Sequence, residues 1–231
     1  MSSFPITRIK ICCISSLEEA QQAIACGASA LGLVGDMPSG PGVIDDALIQ
    51  TIARSVPPSV ATFLLTSETT ALDIIAHSKR THTQVIQMVD YVAPNQYPLI
   101  RQALPHIKLV QVVHVIDHES VEEALEAASG VDALLLDSGN PHLKVKELGG
   151  TGRTHDWALS RSIREQVKVP VFLAGGLNPS NVRQAIEAVR PFGVDVCSGV
   201  RTQGHLDVEK AQAFVASVAS AANADRAAAA R

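Results

Sequence analysis

One feature constrains this chain more than any other. Eight short runs rich in Val, Ile and Leu each precede a stretch with the apolar spacing of an amphipathic helix. The runs predict strands at Arg8–Cys13, Ala30–Val34, Val60–Leu65, Val85–Val89, Leu109–Val115, Ala133–Asp137, Val171–Ala174 and Val194–Ser198. Helices are expected to open at Ser15 or Ser16, at Thr66–Ser67 with Glu68, and near Asp207, and to cover Asp45–Ala53, Pro98–Ala103, Ser120–Ala128, Asp156–Gln166 and Pro179–Val189. Eight strand–helix repeats is the count of a closed (β/α)8 barrel, and 231 residues lies close to the usual length of about 250. An open doubly wound sheet commonly carries a glycine fingerprint after its first strand, whereas this strand ends in Cys12-Cys13-Ile14-Ser15. No Pro/Gly-rich linker divides the chain. The expectation is an α/β protein with one eight-stranded barrel domain over residues 1–222 and an Ala-rich tail, 223–231, that frays.

Composition narrows the function. Apolar residues are 46% of the chain and aromatics only 3%, so the core must be built from Ala, Val, Leu and Ile, which suits buried parallel strands. The net charge of −4 recruits neither nucleic acid nor an anionic membrane, since either would call for a basic stripe. The four cysteines are scattered, with no CxxC pair and no zinc spacing alongside histidine. They read as reduced thiols, and no metal is expected. MSSFPITRIK has no apolar signal core, and no apolar run reaches the length of a membrane span. A cytoplasmic protein is expected, acting as a monomer or a homodimer.

Barrels of this kind place their chemistry at the C-terminal ends of the strands. Lys10 and Cys12 share one face of the first strand. If that face is the interior, Lys10 is a buried charge in need of a partner; otherwise its stem snorkels outward. Cys12 reads equally as a reactive thiol or a small buried hydrophobe. Asp137 closes the run Ala-Leu-Leu-Leu-Asp and precedes a long polar loop rather than a helix, which favours a catalytic carboxylate over a cap. Three glycine-bearing segments follow late strands: Gly149-Gly150-Thr151-Gly152, Gly175-Gly176 and Ser198-Gly199-Val200. Any one of them is ordinary turn chemistry. Three at one barrel end point to an anion held by backbone N–H groups. His77, His82, His106 and His118 read as solvated. His142 and His155 lie in or beside the long loop. His114 either points into the site or is a satisfied interior histidine.

Four stretches together resemble the motifs of the phosphoribosylanthranilate isomerase family. They are Lys10-Ile11-Cys12; Leu148-Gly149-Gly150-Thr151-Gly152 with Asp156-Trp157; Leu173-Ala174-Gly175-Gly176-Leu177 with Pro179 and Asn181-Val182; and Gly193-Val194-Asp195-Val196-Cys197-Ser198-Gly199-Val200. Their order and spacing match over nearly the whole chain. The resemblance implies a TIM barrel and an isomerase of tryptophan biosynthesis that needs no cofactor. Its reaction is an Amadori rearrangement of a phosphorylated sugar amine. Asp137 is implied as the general acid and Cys12 as the general base, which requires environments that push their pKa values apart. A thiol with an ordinary pKa near about 8.5 becomes a usable base beside cations, and Lys10 is a candidate for that role. Gly150, Gly175, Gly176, Ser198 and Gly199 are implied as the phosphate grip. Asp195 is a candidate partner for Lys10.

The chain departs from the family at four places. Cys13 stands where glycine is usual after the cysteine. Ser39-Gly40-Pro41-Gly42-Val43 replaces a Ser-Pro-Arg whose arginine clamps the anthranilate carboxylate, and no arginine occurs between Arg8 and Arg54. Gln87-Met88-Val89-Asp90 replaces Gln-Leu-His-Gly, and Arg201 replaces glutamate. Loss of one bidentate contact weakens binding by about 1.5–3 kcal/mol, or roughly one to two decades. Arg153 and Arg201 are the candidate substitutes; His114 and Lys10 are further candidates for substrate contact. Two alternatives remain: an isomerase of another phosphoribosyl amine or sugar phosphate, and a non-catalytic barrel that binds sugar phosphate.

Overall fold

The computed structural model describes residues 6–140, 143, 146–149 and 152–229. Eight parallel strands close a barrel in chain order: β1 (Arg8–Ile11), β2 (Ala30–Val34), β3 (Ala61–Thr66), β4 (Val85–Met88), β5 (Lys108–His114), β6 (Ala133–Asp137), β7 (Val171–Leu173) and β8 (Gly193–Val196). Around it lie α1 (Leu17–Cys26), α2 (Asp46–Ser55), α3 (Ala71–Thr81), α4 (Tyr97–Ala103), α5 (Glu119–Ala128), α6 (Trp157–Gln166), α7 (Val182–Val189) and α8 (Val208–Ala229). Among the described residues no helix is long and apolar enough to cross a membrane. α8 runs to Ala229, through most of the segment expected to fray.

Local chemistry sets the helix starts. Ser16 caps α1 by accepting from Glu19 N, while Glu19 reaches back to Ser15 N at 3.0 Å, a reciprocal box that satisfies two orphan donors. Asp45 and Asp156 cap α2 and α6. The third helix differs from expectation. Thr66 ends β3, and α3 starts at Ala71 behind Thr70, whose hydroxyl accepts from Asp73 N. Thr66 instead bonds His77 Nδ1 at 2.9 Å, and His77 Nε2 meets Asp46 Oδ1 at 3.0 Å. His77 is therefore a buried tie between α2 and α3 rather than a solvated side chain. α7 begins at Val182, not Pro179, because an Asn178–Asn181 turn precedes it, with Asn178 N bonded to Asn181 Oδ1 at 2.8 Å. β8 stops at Val196, and Ser198–Val200 forms a separate 3-10 turn.

Two apolar clusters follow from strand alternation. Ile9, Ile11, Leu31, Leu33, Leu64, Ile86, Leu134 and Leu136 face the helices. Ala30, Phe63, Val85, Val110, Val112, Ala133, Leu135 and Phe172 fill the barrel. Three phenylalanines pack together toward its N-terminal end: Phe63 and Phe172 meet edge to face at 5.9 Å, and Phe172 and Phe192 at 5.3 Å. A second pocket, bordered by Arg8, Lys108 and Asp132, opens at that end, whereas the tips of the strands meet at the C-terminal mouth.

Candidate active site

A pocket of about 640 Å³, counting the part open to solvent, occupies that mouth. Cys12 and Asp137 both line it, from the tips of β1 and β6. Asp137 Oδ1 accepts from Ser138 N at 2.7 Å. Gly149 lies against the other oxygen: a Cβ there would be 2.8 Å from Asp137 Oδ2. The glycine thus lets the loop after β6 fold down onto the carboxylate.

Beneath Cys12 lies the buried charge anticipated for the first strand. Lys10 and Asp195 are register partners on β1 and β8, and Lys10 Nζ meets Asp195 Oδ2 at 2.8 Å. Lys10 has no exposed surface. Its ammonium sits 5.4 Å from the centre of the Phe63 ring, an attractive cation–π distance. Burial works against the charge, but Asp195 and then the Cys12 thiol raise the Lys10 pKa above lysine's ordinary value. Lys10 is therefore a structural charge under the pocket floor rather than a substrate contact. Gly32 makes room for this stack, since a Cβ there would lie 2.7 Å from Cys12 Sγ and 3.1 Å from Lys10 Nζ.

The anion-binding candidates converge. Gly175 and Gly176 both hold positive φ, +81° and +61°, a region that favours glycine. They line the pocket with Ser198, Gly149 and Gly152. Gly199 packs behind this wall, its Cα so close to Leu177 that a Cβ would be 2.0 Å from the Leu177 oxygen. It lets the loops after β7 and β8 interlock. Gly150 and His142 lie outside the described residues. His155 is tucked under Gly175, with Nε2 2.6 Å from Ser160 Oγ; burial holds its pKa below the usual value. His114 points inward as the strand parity allows, but its Nε2 donates to Val89 O at 3.0 Å and Gly139 covers the ring.

The two proposed substitute arginines are placed differently from the expectation. Arg201 turns away from the pocket. Its guanidinium pairs with buried Glu19, Nη1 to Oε1 at 3.1 Å, and donates to the carbonyls of Cys12 and Cys13. It braces the end of β1 and so is not a clamp on substrate. Arg153 pairs with Glu147. Among the described residues lining the pocket there is no lysine or arginine; Val34, Met37, Ser39, Gly40, Pro41, Leu65 and Leu148 are part of its lining. Gln87 also lines the pocket. Ser39 Oγ donates to the Lys146 carbonyl, bringing the loops after β2 and β6 together across the mouth, and Lys146 itself pairs with Asp90. Sequence reasoning missed this bracing, because residues 107 positions apart carry no shared pattern.

Two of the departures touch each other. Cys13 keeps a glycine-like backbone with φ +62°, and Gly42, at φ +78°, presses on it: a Cβ at Gly42 would be 2.5 Å from Cys13 Cβ. The side chain gained at 13 occupies space that a side chain at 42 would need. Gly42→Ala is expected to lower stability by about 1–3 kcal/mol through this overpacking. Adding Cys13→Gly should return at least about 1 kcal/mol of that, measured as non-additivity in urea unfolding. Additive effects would separate the two positions.

A closed parallel barrel with a carboxylate, a thiol and a cluster of glycines around a pocket at its C-terminal mouth has the architecture of a barrel enzyme. The comparisons specify which. The family described as N-(5'phosphoribosyl)anthranilate (PRA) isomerase matches residues 9–217. N-(5'-phosphoribosyl)anthranilate isomerase 2 of Methanosarcina mazei is 37% identical over 210 residues, covering 90% of this chain and 92% of the relative. The phosphoribosyl anthranilate isomerase structure from Thermotoga maritima superposes with a TM-score of 0.77 at 30% identity, over 93% of this chain and all of that one. A further isomerase structure, in complex with reduced 1-(o-carboxyphenylamino)-1-deoxyribulose 5-phosphate, superposes with a TM-score of 0.74 at 28% identity, over 93% of this chain and 100% of that one. The chain belongs to the phosphoribosylanthranilate isomerase family, isomerases of tryptophan biosynthesis.

Proposed function

We propose that this chain catalyses its family's Amadori rearrangement with Asp137 as general acid and Cys12 as general base. The observation that carries the reading is that both side chains line one pocket whose far corner is formed by Gly175, Gly176 and Ser198. Backbone N–H groups at that corner hold the substrate phosphate. Asp137 gives a proton to the ribose ring oxygen, and the ring opens to an iminium. The Cys12 thiolate removes the proton from C2′, and the enaminol that results tautomerises to the 1-deoxyribulose form. One proton is delivered and one is taken, so the product is an isomer of the substrate.

The apolar wall of Val34, Met37, Pro41, Leu65 and Leu148 suits a flat aromatic aglycone. The test is complementation of a tryptophan auxotroph lacking this isomerase, supported by turnover of N-(5-phosphoribosyl)anthranilate with purified protein. Growth without tryptophan is the expected result. Soluble, folded protein that fails both assays would move the reading to another phosphoribosyl amine.

A further inference from the structure

Strand alternation would turn Cys13 away from Cys12. Its φ of +62° instead brings it to the pocket wall, where Cys12, Cys13 and Cys197 meet. Cys13 Sγ and Cys197 Sγ are 2.8 Å apart across the seam between β1 and β8. The fourth thiol, Cys26, lies apart, with Sγ 4.0 Å from the Val208 carbonyl. The close pair is unequal. The hydrogen bond with Cys13 and the charge of Arg201 hold the Cys197 thiol below its ordinary pKa, while hydrogen bonds with Cys12 and Cys197 push Cys13 well up. Thiol–disulfide exchange needs a thiolate as nucleophile with a second thiol in reach. Cys197 and Cys13 supply them, and the isomerisation uses neither.

We propose that Cys13 and Cys197 form a reversible disulfide, with a low-molecular-weight disulfide as oxidant, that shuts the pocket to its phosphorylated substrate. The Cys197 thiolate attacks one sulfur of the small disulfide, forming a mixed disulfide and releasing one small thiolate. Cys13, after losing its proton, attacks the Cys197 sulfur and expels the second. Two protein thiols are oxidised, one small disulfide is reduced, and the two released thiolates take up the two protons. A bond of about 2.05 Å asks the sulfurs to close by less than about an ångström. It ties the residue after Cys12 to the residue before Ser198, cross-linking the wall between the thiol base and the phosphate corner.

The effect on activity rests on this pocket being the isomerase site; bond formation does not. The experiment therefore has two readouts. Reduced full-length protein is incubated with oxidised glutathione, alkylated, digested and mapped by mass spectrometry, and isomerase activity is followed in parallel. The expected map shows a Cys13 peptide joined to a Cys197 peptide, lighter by two hydrogens than the separate pair. Activity should fall by about tenfold or more and return with dithiothreitol. Cys13→Ser and Cys197→Ser, each scored against its own reduced form, should lose this sensitivity, and Cys26→Ser should keep it. A map that joins Cys12 to either neighbour, or that shows only a mixed disulfide, would overturn the proposal. So would a Cys13-to-Cys197 bond that leaves turnover unchanged.

Discussion

Cys12→Ser and Asp137→Asn should each reduce turnover by about 10²–10⁴-fold while leaving the fold and phosphate binding in place. Both changes are nearly isosteric, so packing is spared. Serine keeps the volume at position 12, which sits tightly against Gly32, but a hydroxyl does not become an anion near neutral pH. Asparagine retains an oxygen to accept from Ser138 N but has no carboxyl proton to give. The two residues act on different atoms of the substrate, and β7 and β8 separate their strands in the barrel. Neither can therefore stand in for the other. Loss of kcat with unchanged KM and an unchanged unfolding midpoint is the expected pattern. Near-wild-type turnover in either variant would remove that residue from the mechanism.

The largest stability effect should come from Lys10. Lys10→Met leaves Asp195 as a buried carboxylate without its cation, and breaking such a pair costs about 3–5 kcal/mol. That is a large share of the about 5–15 kcal/mol that holds a domain together. The double variant Lys10→Met with Asp195→Leu removes both charges and should recover most of the loss, because a buried pair contributes little over apolar groups of similar volume. Urea unfolding of the four proteins in the cycle provides the measurement. The pH dependence has a defined sign. The Lys10 pKa is raised in the folded chain, so its contribution is complete below lysine's ordinary value of about 10.4. It declines only as pH climbs from there toward the raised value. A Lys10 contribution that faded between pH 7 and 9 would contradict an ionised pair.

The expectations that held were those resting on short-range pattern. β2 and β6 lie where the apolar runs place them, and α1, α2 and α6 open within one residue of Ser16, Asp45 and Asp156. The exceptions are instructive. Thr66 looked like a helix start because Ser67 and Glu68 follow it, yet its hydroxyl is engaged by the buried His77 of α3. His77 looked solvated because nothing near it in sequence is a partner; Asp46, 31 positions away, is one.

Placement of the candidate residues at one mouth is the clearest case of what the sequence determined alone. Alternating strands and helices dictate a barrel, and a barrel sends strand-end side chains to one mouth, so Cys12, Asp137, Gly175 and Ser198 were readable together. The tertiary structure decided everything that depends on β8 closing onto β1. Lys10 and Asp195, candidate partners from the sequence, are 185 residues apart. Closure makes them neighbours, turns Arg201 onto Glu19 and the carbonyls behind Cys12, and sets Cys13 against Cys197. Strand periodicity reports which way a side chain faces. Only the closed ring determines what it faces.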